Sequence, residues 1–282
     1  MSEEQKYLFE RLMRFSAANG DTEQVEALLK QGVDPDAPDK NGYKAIHYAA
    51  LAKSPDMVKM LANYQADVNA EDRFGKTALY FTSLVGDIPT ANALLAVGAD
   101  PNKADKRGFT PMHISAKRKN PEMITALTLG GGDLSAQDRY GQAPLHWAAF
   151  YGDARVTQTL LSEGAPINQT NHNGQTALEY AVLAGNLESA EMLLTFGADM
   201  HLKNTKGQSA LDLALEKGTD FKALFYEALV VPKEKNKETQ ITQNQPQQLL
   251  ANAENITKEQ ENEKIKNNPL TNKILSSMIR RY

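Results

Sequence analysis

The chain has no cysteine. That excludes disulfides, thiolate metal sites and cysteine nucleophiles, and makes a reducing, cytoplasmic compartment the expectation. It has no apolar run long enough to cross a bilayer. The N-terminus, Met1-Ser2-Glu3-Glu4-Gln5-Lys6, is charged and lacks the apolar stretch of a signal peptide. Positive charge is not in excess either: the net charge is −4 at pH 7. The balance is uneven, however. From residue 232 onward nine Lys/Arg stand against six Asp/Glu, net +3, which leaves −7 for residues 1–231. A globally basic nucleic-acid binder is therefore not indicated. Phosphate loops, G-x-S-x-G elbows and H-E-x-x-H helices are missing. No nucleophile has a base at readable spacing. The expectation is a protein that is not an enzyme and that needs no cofactor and no metal.

What the chain does have is a period. Gly42, Gly75, Gly108, Gly141, Gly174 and Gly207 stand 33 residues apart. A second landmark keeps the same period: Gly32-Val33-Asp34, Gln65-Ala66-Asp67, Gly98-Ala99-Asp100, Gly131-Gly132-Asp133, Gly164-Ala165-Pro166 and Gly197-Ala198-Asp199. Two landmarks in register over six units mark a stacked repeat array. Each unit buries its apolar face only against its neighbours.

Thr110-Pro111-Met112-His113 and Ala143-Pro144-Leu145-His146 resemble the T-P-L-H signature of ankyrin repeats. Ala66-Asp67-Val68-Asn69-Ala70 resembles that family's closing A-D-V-N-A. The resemblance covers residues 8 to 229. It implies an all-α solenoid of helix-turn-helix units with short β-hairpin tips, and no single activity, because function sits in a site and not in a fold.

The period divides the chain. Residues 1–37 are expected to form an N-terminal capping unit, because Phe9 stands where the tip glycine belongs. Its first helix, residues 4 to 19, carries Leu8, Leu12 and Phe15 on one side. Five full units follow over 38–203, and a shortened capping unit over 204–231. Within the fifth unit, Asp138 to Gln142 form the tip and Pro144 opens the inner helix. Ala148 and Ala149 let neighbouring helices approach. Gly152 ends that helix in the left-handed conformation. Asp153 caps the outer helix, as Asp21, Asp87 and Asn186 do in theirs. Lys53 and Lys119 replace the helix-ending glycine in two units and are expected to be left-handed too. Gly130-Gly131-Gly132 reads as a flexible point.

Beyond residue 231, fourteen of 51 residues are Asn or Gln. The composition predicts a disordered linker over 232–268 and a short amphipathic helix over 269–282, with Leu270, Ile274, Leu275, Met278 and Ile279 on one face. Such a helix suits partner docking, weak membrane contact, or an address read by a secretion machine. The last reading resembles effectors that intracellular bacteria deliver into a host cell's cytosol without a signal peptide.

His47, His113 and His146 share one position in three units and cannot converge on a metal. The resemblance implies that this histidine hydrogen-bonds within and between tips. Trp147 has equivalents Tyr48, Phe81, Ile114, Tyr180 and Leu213, a ladder expected to pack unit on unit. The resemblance also raises asparagine hydroxylation at Asn69, Asn102 and Asn168, against the simpler reading of turn asparagines bonding their own backbone.

In this family the tips and the inner-helix ends line a concave groove. The positions left free there are Lys40, Tyr43, Arg73, Phe74, Lys76, Lys106, Arg107, Phe109, Lys117, Arg118, Arg139, Tyr140, Phe150, Tyr151 and His172. They are basic and aromatic on a body that is acidic. Arginine and aromatic side chains are enriched at binding hot spots. The expectation is a monomeric interaction scaffold gripping an acidic, partly apolar protein segment. Nucleic-acid binding through Lys106, Arg107, Lys117, Arg118 and Lys119, with Phe109 or Tyr151 stacking on bases, is the weaker alternative.

Overall fold

The computed structural model describes residues 2–230. The tail expected over 232–282, with its linker and its helix, lies outside them. Among the described residues fourteen helices follow in pairs. In unit one, α1 (Glu3–Ala18) is joined to α2 (Thr22–Lys30). Then come α3 (Ala45–Leu51) with α4 (Pro55–Asn63), α5 (Ala78–Val85) with α6 (Ile88–Ala96), and α7 (Pro111–Lys117) with α8 (Pro121–Leu129). The last three pairs are α9 (Pro144–Tyr151) with α10 (Ala154–Ser162), α11 (Ala177–Ala184) with α12 (Leu187–Thr195), and α13 (Ala210–Lys217) with α14 (Thr219–Val230). Each first helix packs on the first helix of the next unit, and each second helix on the next second helix. This gives two helical layers with a row of tips along one edge.

Such short helices are marginal alone and depend on packing. The inner layer is lined with alanine: Ala49, Ala50, Ala148, Ala149 and Ala181 are fully buried. The outer helices contribute Leu61, Leu94, Leu127, Leu160 and Leu193, also fully buried. Caps are set as the sequence predicts at Asp21, Asp87 and Asp153, whose carboxylates accept backbone N–H groups of the first turn. Asn186 differs. Its side chain makes no cap bond; Nδ2 instead donates to the Ala149 and Phe150 carbonyls of the preceding unit, at 2.9 and 2.6 Å.

Gly152 is left-handed, with φ 68°. Lys53 and Lys119 adopt the same conformation, with φ 56° and 58°. The three-glycine turn has steric reasons of its own. Only Gly131 of the three has positive φ, while a Cβ on Gly130 would strike Leu95 and one on Gly132 the Leu127 carbonyl.

The first helix turns the other way from its apolar pattern. Met13, Arg14, Ser16 and Ala17 are buried, whereas Tyr7, Leu8, Leu12 and Phe15 are exposed. Met13 and Ala17 join the core, and Arg14 is drawn in because its Nη1 donates to the Ala37 carbonyl at 2.9 Å.

Candidate functional site

Each tip is a hairpin-shaped turn rather than a strand pair; among the described residues only isolated bridges occur, Thr170 with Thr176 and Lys203 with Ser209. The turn is closed by one backbone bond, such as Asp138 N–H to the Gln142 carbonyl at 3.0 Å. A carboxylate then holds it from inside: Asp138 Oδ1 accepts the N–H groups of Tyr140 and Gln142 at 2.8 and 3.0 Å. Asp39, Asp72 and Asp105 repeat this in their own units, and Asn171 and Asn204 do so with their amide oxygens. One oxygen of each tip acid is therefore occupied by backbone.

The second carboxylate oxygen shows how the units differ. Asp39 Oδ2 accepts from the Tyr48 hydroxyl at 2.9 Å, and Asp138 Oδ2 from the Trp147 indole at 3.2 Å. In unit four, where Ile114 cannot donate, Arg107 lies 3.3 Å from Asp105 Oδ2. In unit three Phe81 cannot donate either, and Asp72 Oδ2 is buried with no partner.

Successive tips are stacked by backbone. The N–H groups of Arg73, Lys106, Arg139, His172 and Thr205 donate to the carbonyls of Asn41, Phe74, Arg107, Tyr140 and Asn173, all between 2.8 and 3.1 Å. A Cβ on Gly42 or Gly108 would lie 2.8 Å from the next unit's Arg73 or Arg139 nitrogen. The tip glycine is thus required twice over, by positive φ and by this approach. The closing asparagines also bridge units rather than bonding their own turn. Asn69 donates to the Gly98 carbonyl at 3.1 Å and accepts from Asp100 N–H at 2.7 Å, and Asn102 repeats this with Gly131 and Asp133.

The shared histidines are structural. His146 Nδ1 accepts from Ala143 N–H and Nε2 faces the Gln175 carbonyl at 3.0 Å. His113 and His47 do the same toward Gln142 and toward Ala70 and Lys76. This arrangement needs the neutral ring with its proton on Nε2. Burial pushes all three below the ordinary histidine value, against the raising effect of the backbone bonds. In unit six the position is Glu179, fully buried. Its Oε2 accepts from Asn204 Nδ2 at 2.7 Å, and Oε1 has no partner. Burial raises it above the usual carboxylate range, partly offset by the Asn204 and Thr176 bonds.

On the tip face the expected contact residues separate into groups. Lys40, Arg73, Lys106, Arg107, Arg139, His172, Lys117 and Arg118 are exposed. Phe74, Tyr140 and Phe150 are exposed rings at 59%, 52% and 46%. Tyr43, Lys76 and Tyr151 are half-buried. Phe109 corrects the expectation. It is 6% exposed, packs 5.1 Å from Trp147, and belongs to the core. The position explains why: the residue on the return leg of each tip meets the aromatic position 38 residues later. Tyr43 meets Phe81 in this way, and Gln142 Nε2 meets the Tyr180 hydroxyl. That spacing could have been used to place Phe109 inside.

Among the described residues several cations rest on rings with no carboxylate within ion-pairing distance. Lys76 Nζ is 5.5, 5.2 and 5.9 Å from the centroids of Phe74, Tyr80 and Phe81. Lys117 Nζ is 5.6 and 5.7 Å from Trp147 and Tyr151. Arg139 lies over Tyr140 at 4.7 Å. A cleft of about 330 Å³ opens among Phe74, Lys76, Asp105, Lys106 and Arg107. Rings hold such cations in place without neutralising them.

Comparison with known proteins agrees with this architecture. The family model for ankyrin repeats (3 copies) matches residues 12–105, 82–171, 112–204 and 152–239. The crystal structure of the ankyrin repeat domain of Bcl-3, a member of the IkappaB protein family, superposes with a TM-score of 0.71 at 24% identity, covering 76% of this chain and 97% of that one. The human ASB11 ankyrin repeat domain gives 0.66 at 27% identity, over 76% and 96%. Ankyrin repeat domain-containing protein 39 of Bos taurus is 48% identical over 42 residues, 15% of this chain and 23% of that protein. The chain therefore spans under a quarter of that curated relative's length. No described helix is long and apolar enough to cross a membrane. With the matched repeats extending over most of its length, the chain belongs to the ankyrin repeat family.

Proposed function

We propose that the protein is a non-enzymatic interaction scaffold whose tip face in units two to five grips an acidic, partly apolar segment of a protein partner. Ankyrin repeats are generally protein–protein interaction scaffolds, and the coarse reading follows from membership. The finer one rests on a single observation: among the described residues Lys76, Lys117 and Arg139 are seated on aromatic rings with no carboxylate within ion-pairing distance, while one oxygen of each tip aspartate is held by backbone. Unneutralised cations next to exposed Phe74, Tyr140 and Phe150 suit carboxylates interspersed with apolar side chains. A nucleic acid would need a steep fall of affinity with salt, and the acidic body disfavours it. The delivered-effector alternative rests on the tail, outside the described residues.

The test is the double variant Arg139→Ala/Tyr140→Ala. Both side chains are exposed and their contacts are with each other, so the melting temperature should stay within about 1–2 °C of the parent. Partners captured by crosslinking pull-down should be lost. An unchanged set of captured partners would remove the assignment of this face.

A further inference from the structure

Lys40, Arg73, Lys106, Arg139 and His172 occupy one position in five successive units. All five are exposed. Among the described residues Lys40, Arg73, Lys106 and Arg139 have no carboxylate partner; ion pairs here involve other cations, such as Lys44 with Asp36 and Lys103 with Glu71. Four of the five are tied to the unit before by their own backbone N–H, so their spacing is a property of the scaffold and not of flexible side chains. Each tip sends one leg of backbone out and one back, closed by a single backbone bond and stacked on the next tip by another. At a strand separation of about 4.8 Å, equivalent residues therefore recur every ~10 Å.

Building on the interaction reading above, we propose that this row is a ruler for charge: it takes a protein segment in the polyproline II conformation with an acidic residue at every third position. Polyproline II advances about 3.1 Å per residue with three residues per turn, so every third side chain falls on one side at intervals of ~9–10 Å and puts one carboxylate opposite each cation. Two residues lie between successive acids. Phe74 and Tyr140, each one position beyond a ladder cation, are exposed to receive apolar side chains among them. A helical ligand rises only about 1.5 Å per residue and would meet successive units once in seven residues. A single strand of nucleic acid offers the same sign of charge without that spacing.

The measurement is fluorescence anisotropy on the full chain at low salt, with labelled peptides of one composition. One carries glutamate at every third position; one carries the same glutamates in a block; a third is a stapled helix with glutamate at every seventh. The every-third peptide should bind at least tenfold tighter than the other two. Arg73→Ala or Arg139→Ala should weaken it several-fold, with the melting temperature checked to show that the variants fold. Equal binding of the block peptide, tighter binding of the helical one, or tighter binding of oligothymidylate would each overturn the ruler. Those failures leave the interaction reading standing as long as Arg139→Ala/Tyr140→Ala still loses its captured partners. If neither test responds, both readings fall.

Discussion

At the scale of the residue, the array works by giving the same position different chemistry. The position of Tyr48 and Trp147 supplies a donor to the tip carboxylate in its own unit. Phe81 does not, and Asp72 Oδ2 is left buried and unpaired. A buried acceptor without a donor costs on the order of 1–3 kcal/mol. Phe81→Tyr places a hydroxyl where Tyr48 carries one. It should stabilise the protein by about 1 kcal/mol, a rise of about 2–4 °C in melting temperature. A fall on thermal denaturation would mean that the ring cannot be lengthened there and that the repeat analogy fails at this site. The same comparison explains what was legible in the residues. The tip aspartates, the shared histidines and the left-handed lysines could all be read from period alone, because backbone geometry recurs with the period. The inward turn of Phe109 needs a second spacing as well, because its partner Trp147 stands 38 residues on, in the next unit. The bridging of Asn69 to Gly98 and Asp100 was hidden for the same reason.

At the scale of the element, helix ends carry most of the sequence's instructions. Proline opens α7, α8 and α9 at a position whose N–H is unused. Glycine closes α5, α9 and α11 with positive φ. Lys119 closes the turn after α7 with φ 58° and no such freedom. Lys119→Gly should therefore raise stability by roughly 1 kcal/mol, whereas Lys119→Ala, which keeps a Cβ in the left-handed region, should give no gain. Gly141→Ala should go the other way by more than about 1 kcal/mol, since its Cβ would also lie 2.6 Å from the His172 nitrogen. Urea denaturation of the three variants separates strain from packing; equal midpoints for Lys119→Gly and Lys119→Ala would show that the lysine is not strained. The first helix was the element least legible. Its apolar pattern names Leu8, Leu12 and Phe15, but Met13 and Ala17 are the residues that enter the core. Amphipathic spacing shows that a face exists and not which neighbour it meets.

At the scale of the whole molecule, units are coupled only to their neighbours, and the couplings titrate. His47, His113 and His146 each join one unit to the next as neutral rings held below the ordinary histidine value. Their contribution is complete above pH ~6.5 and is lost as pH falls through the lowered folded values. Each pH unit of that window shifts the unfolding constant up to about tenfold per histidine. Glu179 has the opposite sign at the junction of units six and seven. Its raised value means that its contribution is present below the usual glutamate range of about 4.3 and is lost as pH rises through the folded value. Glu179→Gln should match the parent near pH 4 and exceed it in melting temperature near pH 7. A constant difference across that range would show that the carboxyl does not titrate on folding. The solenoid was plain in the spacing of the glycines. Which junctions respond to acid or base was not, because burial is settled by the stack and not by the unit.

The tip carboxylates have one last consequence. Because Asp39, Asp72, Asp105 and Asp138 clasp the turn through main-chain N–H groups, the side chains at 40–41, 73–74, 106 and 139–140 are left almost without structural duty, whereas Arg107 also pairs with its own tip carboxylate. In the proposed reading, recognition is written in pairs of letters on a frame that does not read them. Homologous chains, or engineered ones, could exchange those pairs wholesale and address new ligands while melting at nearly the same temperature.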